Sequence, residues 1–163
     1  MHAAQTFSKP FRLVFFAALA LSFCGPGSAA PADETGDAAL EQIEILTASG
    51  AHAFNVEVAR TLRQRELGLM FRRSMPEDRG MLFFFDAERP IAMWMKNTYI
   101  PLDMVFVSRS GVVTGVARGA KPLSEEIIPS GRPAYAVVEL NAGVADAIQL
   151  AVGDQVRHPG FKR

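Results

Sequence analysis

Gly80-Met81-Leu82-Phe83-Phe84-Phe85-Asp86, Pro90-Ile91-Ala92-Met93-Trp94-Met95-Lys96-Asn97-Thr98 and Ile100-Pro101-Leu102-Asp103-Met104-Val105-Phe106-Val107 decide the fold. Past residue 30, no other part of the chain packs large apolar side chains so densely. Short polar punctuation divides it into segments of strand length, read as Met81–Phe85, Ile91–Met95 and Leu102–Val107. Met81–Phe85 is apolar at every position, the pattern of a strand covered on two faces. Asp86, Glu88, Arg89 and Pro90 read as a polar loop between the first two segments.

Upstream, Ile43–Leu46 and Phe54–Val58 alternate with period two around a turn at Ser49-Gly50, which predicts a hairpin with one buried face. Thr61 and Gln64 have the spacing of a capping box, predicting a helix whose apolar stripe is Leu62, Leu69 and Met70. Downstream, Ser110-Gly111 predicts a turn, Val112–Val116 a strand, and residues 118–133, with three prolines and two glycines, a long loop. Tyr135–Leu140 reads as a strand, and Asn141 as the cap of a short helix presenting Val144, Ile148 and Ala151 and ended by Gly153. Many short strands and two helical pieces indicate a mainly β protein, a small single-domain β-sandwich or partly closed barrel with two short helices.

The central stretch, with Gly68-Leu69-Met70 before it and Glu139-Leu140, Ala142-Gly143 and Gly153-Asp154 after it, resembles the domain-of-unknown-function-192 family of bacteria and archaea. The matching motifs are Gly-Met-Leu-Phe, Trp-Met-Lys-Asn-Thr and Pro-Leu-Asp, and the likeness runs over roughly residues 43–157. It implies a small β-rich domain and brings no established activity with it.

Residues 1–30 read as an export signal, with Lys9 and Arg12 before an apolar run at Leu13–Phe23 and small residues at Ser28-Ala29-Ala30. Cleavage is expected after Ala30, giving a periplasmic or secreted protein with a flexible leader over residues 31–41 and the domain over 42–163. The apolar run is about half of the ~20 residues a spanning helix needs, so no stable membrane anchor is expected after processing. Leu21-Ser22-Phe23-Cys24 has the outline of a lipoprotein site, but Phe23 stands where a small residue is required. Loss of Cys24 leaves no cysteine, which excludes disulfides, thiolate catalysis and cysteine metal sites. Without the signal the chain carries a net charge of −2, a poor basis for nucleic-acid binding.

Asp103 and Glu139 each place a carboxylate on an otherwise apolar strand face, where an acid must be paired or neutralised. Arg60, Arg63, Arg65, Arg72, Arg73 and Arg79 surround the first helix and offer bidentate anion contacts or partners for those acids. Trp94 and Lys96 share one face of their segment, so Trp94, Lys96 and Asn97 form a candidate cleft wall. The six methionines past residue 30 read as core filler, and His52 and His158 lack metal-ligand spacing, so no metal or cofactor is expected. The expectation is a binding module for a small polar or anionic ligand, such as a glycan or peptide end, using Arg65, Arg72, Trp94, Lys96, Asn97, Asp103 and Glu139. The alternatives are an envelope hydrolase built on Asp103 and Glu139, and an interaction or structural module docking through a sheet edge or apolar patch.

Overall fold

A computed structural model describes residues 40–162; the expected export signal, Cys24 and most of the expected leader lie outside the described residues. The protein is mainly β. In chain order the elements are β1 (Leu40–Thr47), β2 (Gly50–Ala59), α1 (Leu62–Leu67), β3 (Arg79–Met93), β4 (Leu102–Val107), β5 (Val113–Ala120), β6 (Ile128–Asn141), α2 (Val144–Ala147) and β7 (Gln155–Arg157). The seven strands form one sheet in the order β5-β4-β6-β3-β2-β1-β7, curled as a half-barrel. All neighbours are antiparallel except β2 and β3, which run parallel because the chain crosses over through α1. The curl brings the two edges together at one corner, where Val112 bridges Gln155 and the Val113 amide donates to the Asp154 carbonyl at 2.8 Å.

Side-chain alternation divides the core. On one face Ile45, Val56, Leu82, Val105, Val138 and Leu140 pack with Ala145 and Leu150 near α2. On the other, Met81, Phe83, Met104, Phe106 and Val137 pack with Ile91 from the far part of β3 and with Leu69 and Met95 from the connections. Covered on both sides, all six residues of β4 are buried. The β1–β2 hairpin forms as its alternation predicts, with Ile43 opposite Phe54.

Several boundaries differ from the sequence reading. Asp86–Pro90 is not a loop: β3 continues through it as one 15-residue strand, with register shifts against β6 between Phe84 and Arg89 and again between Pro90 and Ala92. The expected loop at 118–133 shrinks to residues 121–127, because β5 runs to Ala120 and β6 begins at Ile128. In both places polar residues and prolines mark an exposed arm of the sheet, and irregular pairing accommodates Pro90 and Pro133. The α1 capping box is present, yet the helix has only six residues and none is buried. Leu62 and Leu67 face solvent, so the expected stripe reduces to Leu69 and half-buried Met70. Asn141 does not cap α2, whose N-cap is Gly143; its amide donates instead to the carbonyls of Met75 and Pro76.

Candidate functional site

Glu139 lies in β6 between Met81 of β3 and Met104 of β4 and points to the second face. The β6 backbone comes very close to β3 here: a Cβ on Gly80 would stand 2.6 Å from the Glu139 carbonyl oxygen, which explains glycine before Met81. Over this face the chain leaves a cleft of about 420 Å³. Leu62, Leu67, Leu69 and Met70 line one wall, Phe83, Phe85, Met93 and Trp94 the other. Gly68 belongs to the first wall, where it adopts a φ of +48° and a Cβ would approach the Phe83 ring to 3.3 Å.

Glu139 closes the floor, 5% exposed. No hydrogen bond or ion pair from a described residue meets its carboxyl group. Burial alone pushes its pKa up to about 8, so at neutral pH the group is a carboxylic acid with one proton to donate and oxygen lone pairs to accept. Arg65, Glu66, Asp86 and Arg89 supply the charged part of the lining. Arg65 and Arg89 each lie 6.0 Å from the centre of the Phe85 ring, and Arg65 donates to the carbonyls of Arg60 and Phe84 at 3.1 and 3.2 Å.

The fold thus gathers Arg65, Trp94 and Glu139 of the expected residues. Lys96 joins them indirectly, its ammonium 5.4 Å from the Trp94 ring centre. β3 ends at Met93, so Trp94 lies just past the strand and Lys96 in the turn that follows, and their shared side arises from stacking. Asn97 adopts a φ of +55°, accepts the Phe71 amide through its carbonyl, and lies with its side-chain nitrogen 3.9 Å from the Met70 sulfur. Arg72 clasps Glu57 with both terminal nitrogens, a pairing that raises its pKa and occupies it.

Asp103 lies on the opposite face. Its Oδ1 accepts the Gly119 amide and its Oδ2 the Ala145 amide, both at 2.8 Å, which ties β4 to β5 and to α2. The hydrolase pairing of Asp103 with Glu139 is therefore corrected: they occupy adjacent strands with opposite parity, so the sheet separates the two carboxyl groups. Sequence reasoning missed Phe85, Met93 and Arg89 as cleft residues. The alternation Met81, Phe83, Phe85 carried the signal, hidden by the apolar residues between.

A second concavity, of about 520 Å³, lies beside Gln155–Phe161. Its imidazole is engaged at both nitrogens, His158 Nδ1 accepting the Gly160 amide and Nε2 donating to Glu41. Among the described residues no three His, Cys, Asp or Glu side chains form a metal-binding group.

The family model for DUF192, described as an uncharacterized ACR, matches residues 44–158. The chain belongs to the DUF192 family. This DUF192 protein is similar to a Sinorhizobium meliloti 1021 crystal structure designated "putative transcription regulator", at 45% identity and a TM-score of 0.74 over 77% of this chain and 98% of that one. It is also similar to a Novosphingobium aromaticivorans DSM 12444 protein of unknown function, at 35% identity and 0.71 over 73% and 85% of the two chains. A search of curated proteins returned no match. Neither the family nor these neighbours establishes an activity.

Proposed function

We propose that this domain is a binding module, exported by a signal at residues 1–30, whose cleft over Glu139 holds a small ligand with an apolar body and a polar or anionic end. One observation carries the reading: a carboxyl group with no partner among the described residues sits on the floor of an open cleft lined by apolar and charged side chains alike. Folding favours an apolar residue or a hydrogen-bonded acid there, and a ligand would supply the missing partner. The neutral acid suits a ligand oxygen, which accepts its proton, and it presents no charge to repel an anion. Arg89 stands in the same lining to meet a negative end, beside Arg65, which already lies 4.0 Å from Asp86, while Leu69, Met70, Phe83 and Met93 take the apolar body.

The designation of the S. meliloti relative would suggest DNA. Against that stand a formal net charge of zero for the whole chain and arginines already engaged, Arg60 with Glu41 and Arg72 with Glu57.

Thermal denaturation of wild type and Glu139→Leu against graded alkanoic acids, acylated amino acids and N-acetylated sugars tests the reading. A true ligand at a hundredfold its dissociation constant adds about 2.7 kcal/mol to wild type, and the leucine variant loses that gain. If no probe moves wild type and Glu139→Leu melts earlier, the acid belongs to the fold and the proposal fails.

A further inference from the structure

The six methionines past residue 30 are scattered along the chain, yet the fold sets all of them on one side of the sheet. Met81, Met95 and Met104 are buried in the core of the second face, Met75 and Met93 pack against it, and Met70 lines the cleft with Met93. The core of the first face contains none; Ile, Val, Leu, Phe and Ala fill it, with Tyr135 at its edge. A residue used only to fill gaps has no reason to favour one face.

The methionines surround the unpartnered acid. Met81 and Met104 are the register partners of Glu139 on its two neighbouring strands, so the three side chains stand in one row across β3, β6 and β4 on the same face. Side chains directly opposite one another start about 5 Å apart at Cβ, within the reach of a methionine. Met70 and Met93 line the two walls of the cleft whose floor is Glu139. The Asn97 side-chain nitrogen, 3.9 Å from the Met70 sulfur, steadies that thioether at the wall. Glu139 itself is 5% exposed and takes no hydrogen bond or ion pair from a described residue.

This donor set selects its ligand. Thioether sulfur is soft and uncharged, and it favours Cu(I) and ions like it. Calcium and magnesium require shells of oxygen, and zinc takes thiolate, imidazole or carboxylate. One carboxyl group among methionines suits none of them. The carboxyl group also fixes the charge: ionised, it carries one negative charge, which a monovalent cation cancels on a floor that disfavours net charge. The remaining charged groups of the lining leave that balance unchanged, since Arg65 and Arg89 offset Glu66 and Asp86. Glu66, Asp86 and Arg89 are exposed, and Arg65 lies 4.0 Å from Asp86.

We propose that the floor of the cleft is a site for a soft monovalent cation, Cu(I) or Ag(I), held by the Glu139 carboxylate and the thioethers of Met70, Met81, Met93 and Met104. The cation takes the place of the carboxyl proton, which leaves to solvent, and no electron is transferred. The inference goes beyond the organic ligand proposed above, with which the metal competes for the Glu139 oxygens.

The experiment uses the full chain carrying Cys24→Ser, which removes the one thiol that would bind the same ions. Ag(I), and Cu(I) kept reduced by ascorbate without oxygen, are titrated into protein labelled with carbon-13 at the methionine methyl groups, so that each sulfur reports separately. One equivalent of either ion shifts the methyl signals of Met70, Met81, Met93 and Met104 and leaves Met75 in place; Zn(II) and Ca(II) shift none. Met70→Leu with Met93→Leu, a swap that keeps the apolar volume, weakens binding about tenfold or more while the melting temperature stays near that of wild type. Glu139→Gln, which keeps the shape and cannot supply the charge, weakens it about a hundredfold. The proposal is overturned if no methyl signal moves, if only Met1 responds, or if the variants bind as wild type does. Should the ions fail to bind while an alkanoic acid or an N-acetylated sugar still stabilises wild type, the metal site is lost and the organic-ligand reading stands.

Discussion

Asp103 and Glu139 are buried carboxyl groups on adjacent strands, and the sheet treats them oppositely. Asp103 is met by two backbone amides at 2.8 Å and fastens β4 to two other parts of the chain. Glu139 meets no polar partner among the described residues and faces a cleft. The pair teaches that burial alone does not tell a structural acid from a functional one; the partner supplied to it does. A satisfied carboxylate stabilises the fold, whereas an unsatisfied one lowers stability and indicates another use.

The sharpest way to break the comparison is Asp103→Ala, which strands two amides in the interior and should lower stability by about 4 kcal/mol, read from urea denaturation. A loss below about 1 kcal/mol would show that Asp103 is not a fastening. Glu139→Leu should move the other way, raising stability at pH 7.5 by about 2 kcal/mol, because a shape-compatible apolar side chain replaces an unpaired acid. Destabilisation there would place Glu139 with Asp103.

Proton linkage sharpens the contrast. Below the ordinary glutamate value of 4.5, both folded and unfolded chains hold the Glu139 proton. Between 4.5 and about 8 the folded chain keeps a proton that the unfolded chain releases, so stability falls as pH rises, by about 1.4 kcal/mol per unit where the difference is one full proton. Above about 8 the penalty is constant. Urea midpoints from pH 5 to 9 for wild type minus Glu139→Gln should show that slope and plateau; parallel curves would remove Glu139 from its apolar floor. The smallest effect is expected from Thr61→Ala, which removes half of the α1 capping box and costs about 1 kcal/mol. Because α1 forms a wall of the Glu139 cleft and buries no residue, its amides should exchange faster while those near Asp103 do not.

Much of the architecture was legible in local patterns. The hairpin of β1 and β2, the cap at Thr61 and the buried β4 follow from period-two alternation, side-chain reach and continuous apolarity. The long β3 and β6 were misread because Asp86–Pro90 and Gly131–Pro133 carry loop-like residues on an exposed arm that remains paired. Local composition reports solvent contact, and a strand that leaves the core looks the same as a turn.

For the site, sequence by itself determined that Asp103 and Glu139 are acids on apolar strands and that arginines and Trp94 stand nearby in the chain. Only the tertiary structure decided which acid had a partner. Strand register put the two on opposite faces, α2 and β5 brought amides to Asp103, and α1 with the end of β3 enclosed apolar space over Glu139. Those neighbours lie far apart along the chain, and no local period encodes which of them will meet a given side chain.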